Sequence, residues 1–269
     1  MTRPTDRPPF PGTAKRSGRV GLGRGFSAAN SNTRITLPGS ARVAAAPLVA
    51  THSANLGLNS DRLRFRMIQR LRNQGIQDER VLAAMSAVPR HLFVDEGLAS
   101  RAYEDAALPI GHGQTISQPW VVARMISAMC ENRIPVKVLE VGTGCGYQAA
   151  VLAQFVKEVH SVERIRGLYE LARDCLRALK LVGRVRLSFG DGMLGLPNVA
   201  PFDAIVVAAA GVKIPPVLLE QLAIGGRLIA PEGGTAQRLI LVERTGAAVW
   251  HREELESVRF VPLRAGTQS

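Results

Sequence analysis

The sequence predicts an α/β protein in which a doubly wound, mostly parallel sheet of seven strands is covered by helices on both faces and preceded by added N-terminal helices. Three observations carry this expectation. From Val136 onward, short apolar runs alternate with stretches of helical period, as expected for parallel strands buried on both faces. One of these runs, Val138-Leu139-Glu140-Val141, enters the glycine-rich turn Gly142-Thr143-Gly144-Cys145-Gly146 and then a helical stretch from Tyr147. Upstream of Val136 the only periodic segments are helical.

Taken in order, residues 1–60 are rich in Arg, Pro, Gly, Ser and Asn without a sustained period, which predicts a disordered tail. An organelle transit peptide shares that composition and stays open as an alternative. Order is expected from Leu63, where Leu63, Met67, Ile68 and Leu71 form an apolar stripe that ends at Gly75. Asp78 then caps a second helix with Val81, Leu82, Met85 and Val88 on its apolar face, and Pro89 breaks the pattern. Residues 107–115 read as irregular chain. A third helix starts at Pro119, where Val122, Met125, Ile126 and Met129 resume helical spacing as core residues. The expected strands are 137–141, 158–163, 185–189, 204–208, 226–230, 238–243 and 255–261, with helices at 147–155, 166–181 and 216–222. Residues 61–269 thus form a single domain, with the sheet at 133–263 and a helical N-terminal part at 61–132.

Composition narrows the function. Of the net charge of +12 over 269 residues, residues 1–60 hold eight Lys or Arg against Asp6 alone, a balance of +7, so the body is only mildly basic. Three widely spaced cysteines, Cys130, Cys145 and Cys175, make neither a disulfide ladder nor a C-x-x-C pair and fit a cytoplasmic setting. Five scattered histidines show no metal-ligand spacing, so no metal is expected. No apolar run reaches the roughly 18 residues of a membrane span, and no membrane partner is expected.

The glycine-rich turn carries the strongest chemical signal. Glycine permits positive φ and close approach of a ligand, while free N–H groups at the helix start favour an anionic group. A dinucleotide fingerprint would need a small residue at 147, but Tyr147 stands there and the third glycine falls at Gly146. Roughly twenty residues after Gly142, the next strand ends at Glu163, where a carboxylate can accept from both hydroxyls of a ribose. At the end of the third strand, Gly190-Asp191-Gly192 places Asp191 at the same edge of the sheet, as an acceptor for an adenine amino group.

With these residues assembled, the chain resembles the protein-L-isoaspartate O-methyltransferase family from about residue 67 to 263. The resemblance runs through Val88-Pro89-Arg90-His91-Leu92-Phe93-Val94, Leu108-Pro109-Ile110-Gly111-His112-Gly113-Gln114-Thr115-Ile116-Ser117-Gln118-Pro119, the Gly142 turn, Gly190-Asp191-Gly192 and Val258-Arg259-Phe260-Val261-Pro262-Leu263. The element Thr115-Ile116-Ser117 is its most specific piece. The resemblance implies a Rossmann-like methyltransferase sheet, S-adenosylmethionine as methyl donor, and proteins and peptides containing L-isoaspartyl or D-aspartyl residues as partners; a monomer is expected, although the sequence does not reveal the oligomeric state. The resemblance also implies Ser117 as the active-site serine, with Thr115 and Ile116 beside it on the acceptor side. Glu140, Gly142, Thr143, Gly144 and Gly146 fall at the methionine end of the cofactor, Glu163 at the ribose, and Asp191 and Gly192 at the adenine. Trp120 and Cys145 depart from the usual residues, and the tail lies outside the pattern. Cys145 has no nearby histidine to activate it and is expected to pack.

A nucleic-acid methyltransferase is the first rival, suggested by the high isoelectric point. The segment after the fourth strand reads Ala208-Ala209-Ala210-Gly211, without the Asn-Pro-Pro-aromatic element often seen in enzymes acting on base amino groups. An RNA-binding protein that uses the basic tail is the second. No specific nucleic acid is expected.

Overall fold

The computed structural model describes the backbone of residues 54–269 and side chains from Ser60 onward. The expected tail therefore lies, for residues 1–53, outside the described residues. Residues 54–60 are already helical. Helix α1 spans Ala54–Asn73, beginning nine residues before Leu63, because Asn, Gly and Ser in its first turns hide the helical period. Helix α2, Glu79–Ala87, starts at Asp78, whose carboxylate accepts from the N–H groups of Arg80 at 3.0 Å and Val81 at 3.4 Å. Two short 3-10 turns, Arg90–Phe93 and Glu96–Arg101, follow.

The segment expected to be irregular is a small hairpin of β1, Leu108–Gly111, and β2, Gln114–Ile116, too short to show an alternating pattern. Helix α3, Pro119–Cys130, begins as expected. The main sheet contains β3 (Lys137–Val141), β4 (Glu158–Glu163), β5 (Val185–Phe189), β6 (Phe202–Val207), β7 (Leu222–Gly233), β8 (Gln237–Gly246) and β9 (Val249–Val258), interleaved with α4 (Tyr147–Leu152), α5 (Arg166–Ala178) and α6 (Pro216–Glu220). The first three strands fall at their expected limits. β6 starts two residues before its expected limit and ends one before it, β7 and β8 extend beyond the expected cores at both ends, and α4 to α6 each stop short.

The strand order is β5-β4-β3-β6-β7-β8-β9, parallel through β7 and antiparallel for the last two pairs. Chain order reverses at β3, so β3 and β6 flank the switch point at which open α/β sheets bind ligands, beyond the carboxyl ends of the strands. β9 starts six residues earlier than expected and ends three earlier. Its first half, Val249-Trp250-His251-Arg252-Glu253-Glu254, is polar because an edge strand faces water, and a search for apolar runs overlooks it.

Alternate residues of the central strands face two separate cores. Val138, Val206 and Ile229 pack with Met67, Leu82, Met125 and Met129 of the N-terminal helices, while Leu139, Ile205, Val207 and Leu228 pack on the other face with Leu218 of α6. Strands buried on both faces need apolar residues at every position, which is why they read as continuous runs. Cys145 is buried and its thiol is pushed up to about 12 by burial, consistent with a packed residue.

The Asp78 cap gives a direct test of the helical layer. Asp78→Ala leaves two α2 N–H groups without their acceptor and costs about 1 kcal/mol. This is expected as a lower urea midpoint at unchanged m-value.

Candidate active site

A cavity opens where the switch point requires it, at the carboxyl ends of β3, β4 and β6. Its walls include Val141, Gly142, Thr143 and Gly144 from the first turn, Val162, Glu163, Arg164 and Ile165 from the second, and Ala208 and Ala209 after β6. Gln114, Thr115, Ile116 and Ser117 close it from the N-terminal part, and Gly192 and residues 261–264 complete it. Thus Ser117, Thr115, Ile116, Gly142, Thr143, Gly144, Glu163 and Gly192 meet around one space. Glu140, Gly146 and Asp191 do not border it.

Each exception has a physical reason. Glu140 sits one residue before the end of β3 and is wholly buried. Its carboxylate accepts from Gln148 Nε2 at 3.1 Å and from the Ser161 hydroxyl, which also contacts the Thr143 hydroxyl. Burial, reinforced by the charge of Glu163, pushes the Glu140 carboxyl up to about 8, against the pull of those hydrogen bonds. Glu140 therefore supports the glycine turn from beneath. Gly146 precedes α4 with φ of 89°, and a Cβ there would lie 3.3 Å from Ala172 Cβ, so it allows α4 and α5 to approach. Asp191 accepts from Met193 N–H at 2.9 Å and Gly266 N–H at 2.6 Å, which engages its carboxylate in holding the C-terminal segment.

Glu163 terminates β4 and is nearly buried. Its two oxygens accept from Gly144 N–H and Ile165 N–H, each at 2.9 Å. A carboxylate has about four acceptor sites, so capacity remains on the cavity side.

Ser117 follows β2. Its hydroxyl makes no hydrogen bond among the described residues. The residue that precedes α3 is Gln118, without a side-chain cap bond, so Ser117 is not spent on capping the helix. Its carbonyl accepts from Arg90 Nη2 at 2.7 Å, while Arg90 Nε donates to the Ala102 carbonyl at 2.7 Å. The Arg90 guanidinium lies 4.8 Å from the centre of the Tyr147 ring and is fully buried, which holds its pKa below the ordinary arginine value.

Sequence reasoning missed two contributors. Arg90 lies in the Val88 to Val94 segment with no expected role, since nothing in the sequence marks an arginine as buried. Of residues 261–264, the sequence pattern puts only Val261 in the last expected strand, 255–261, and gives the others no element. They instead cross the end of β6, where Ala210 N–H donates to Val261 O and Leu263 N–H to Ala210 O, both at 2.8 Å. The small residues Ala208-Ala209-Ala210-Gly211 were the signal, because a chain passing closely over them leaves little room for side chains.

A glycine-turned cavity at the switch point of this seven-stranded sheet is the arrangement of a Rossmann-like nucleotide-cofactor site, as a methyltransferase requires. Comparison with known proteins specifies which kind. The model of the family described as Protein-L-isoaspartate(D-aspartate) O-methyltransferase matches residues 62–268. A protein-L-isoaspartate O-methyltransferase of Bordetella petrii is 71% identical over 99% of this chain and 98% of its own length. Its counterpart in Bordetella parapertussis is 74% identical over 92% and 95%. A solved protein-L-isoaspartate O-methyltransferase structure superposes with a TM-score of 0.69 at 28% identity, covering 76% of this chain and 67% of that one. The chain belongs to the protein-L-isoaspartate O-methyltransferase family.

Glu140 yields a pH prediction. In the unfolded chain its carboxyl ionises near the ordinary glutamate value of 4.5, whereas burial in the folded chain pushes it up to about 8. Between those values the folded state holds the extra proton, so this group's contribution to stability is full below about pH 4.5 and is lost as pH rises through about 8. Glu140→Gln keeps the shape and removes the titration. Chemical denaturation across that window should show a shallower decline in the variant than in the wild type.

Proposed function

We propose that this cavity holds S-adenosylmethionine beside a protein carboxylate, and that the chain methylates L-isoaspartyl residues of damaged proteins and peptides, starting their repair through a succinimide. The observation that carries the reading is Ser117, which keeps its hydroxyl unspent and lines the same cavity as the glycine turn and Glu163 in a chain of this family. The residues suit the cofactor. Glu163 keeps acceptor capacity for a ribose diol, Gly142 and Gly144 turn at φ of 91° and 56° to present backbone, and Val162, Ile165 and Leu168 provide apolar wall. Gly192 allows close packing at the adenine side, since a Cβ there would lie 2.6 Å from Val141 Cγ1.

When bound, S-adenosylmethionine supplies an electrophilic methyl group on a sulfonium sulfur. The chain's own work is positioning. An isoaspartyl carboxyl ionises near roughly pH 4 and is already a nucleophile at neutral pH, so no general base is required. Ser117 donates a hydrogen bond to one carboxylate oxygen, which leaves the other aligned without neutralising it. Thr115 and Ile116 shape the acceptor side, and Arg90 holds the Ser117 backbone. Gly142, Thr143 and Gly144 take the methionine end, supported from beneath by Glu140 and from the α4 start by Gly146. Asp191 acts through the turn it caps. The same reading has the chain working as a cytoplasmic monomer, with no specific nucleic acid and with catalysis carried by the residues from Ala54 onward.

Methyl transfer to an isoaspartyl peptide, compared with its aspartyl twin, tests the function. Transfer to both alike, or to a nucleic acid instead, overturns it. Ser117→Ala is expected to lower kcat/KM by at least about tenfold, a loss of roughly 1.4 kcal/mol or more of transition-state stabilisation. Cofactor affinity should change less than about threefold, and Ser117→Thr should keep more activity than alanine. Glu163→Ala removes charge-assisted acceptors worth about 1.5 to 3 kcal/mol. Calorimetry should show roughly ten- to hundredfold weaker cofactor binding.

A further inference from the structure

A second groove adjoins the cavity, sharing Thr115, Ser117, Ala208 and Val261 with it. It continues past Trp120 to Ser257, Arg259 and Phe260, so whatever lies at Ser117 extends along it. Its walls are apolar or uncharged polar except for one side chain, Arg259. That arginine is exposed and forms no hydrogen bond or ion pair among the described residues. The acids nearest to it in sequence are engaged elsewhere, Glu254 with Arg238 at 2.8 Å and Glu256 with Arg124 at 2.6 Å.

The backbone that carries Arg259 is held firmly. Gln237 clamps the next residue in both directions, accepting from Phe260 N–H at 2.6 Å and donating to Phe260 O at 3.2 Å. Two residues further on, Val261 is tied to Ala210 at the end of β6. A cation on a fixed base, left without an internal counterion in an otherwise uncharged groove, complements an anion brought in by the occupant.

The geometry points to Arg259 as a specificity residue that pairs with an acidic side chain flanking the isoaspartyl residue of the substrate. This rests on the proposed function, since the groove's occupant is then the remainder of the acceptor peptide. Arg259 does not touch the reacting atoms in this reading; it selects among peptides that Ser117 can serve. The pair would be solvent-exposed, so its effect is modest and screened by salt.

The test uses the full chain and a set of isoaspartyl peptides in which Glu, Gln or Lys is scanned over the three positions on either side of the isoaspartyl residue. At low ionic strength, the wild type should show kcat/KM for Glu above Gln by about two- to fivefold at one position at least, with Lys lowest. The preference should shrink at about 0.5 M salt. Arg259→Gln should bring the Glu to Gln ratio to about one, Arg259→Lys should retain part of it, and Arg259→Glu should invert the order of Glu and Lys. Arg252→Gln, which removes a cation paired with Glu232 outside the groove, should leave the ratio unchanged. A wild type that methylates all peptides equally, or a ratio that survives Arg259→Gln, overturns the role of Arg259 while the proposed function stands. A wild type that methylates no isoaspartyl peptide overturns the proposed function itself.

Discussion

The turns that follow parallel strands offer backbone N–H groups around the switch point, and in this chain one carboxylate organises two of them. Glu163 accepts from Gly144 in the first βα turn and from Ile165 in its own. A single side chain thereby fixes the spacing of two turns that would otherwise move independently. An ionised acceptor makes stronger bonds to backbone N–H than a neutral one, and its near-complete burial keeps water from competing. Thr143, Ser161, Glu140 and Gln148 continue the same polar path beneath the glycine turn.

The opposite wall depends on a cation. Arg90 joins three pieces of chain far apart in sequence, reaching the carbonyls of Ala102 and Ser117 and the face of Tyr147 at the start of α4. Burying a guanidinium is costly unless its donors are met, so the helical part and the sheet must close on it together. The position of Ser117 is thus set by the backbone it shares with this arginine, and the hydroxyl is left unspent. In the first wall an anion orders N–H groups; in the second a cation orders carbonyls.

Much of this architecture was legible in the sequence because double burial leaves a plain trace. β3, β4 and β5 were found at their limits, and α3 and the Asp78 cap at their starts. The hairpin was not legible, since β1 and β2 are too short for period-two alternation to emerge. The first half of β9 was hidden because an edge strand needs no apolar side chains, and the start of α1 because Asn, Gly and Ser blur the helical period. At the site, the sequence pattern points to Ser117, Glu163 and the turn at Gly142 to Gly144 as neighbours, and all of them border one cavity. Glu140 and Asp191 were placed in the right neighbourhood but face inward or toward the C-terminal segment. Side-chain direction depends on partners remote in sequence, such as Gln148 for one and Gly266 for the other.

The polar character of β9 carries a consequence for the company this chain keeps. An open sheet ends in a strand with one row of unpaired N–H and C=O groups, a template on which any extended peptide can add itself. Along β9, His251, Arg252, Glu253 and Glu254 face solvent in succession. A stranger's strand laid against them meets charge that it must desolvate. The flank of the sheet is thereby a poor template for strand addition, while the cavity lies at the β3/β6 switch point.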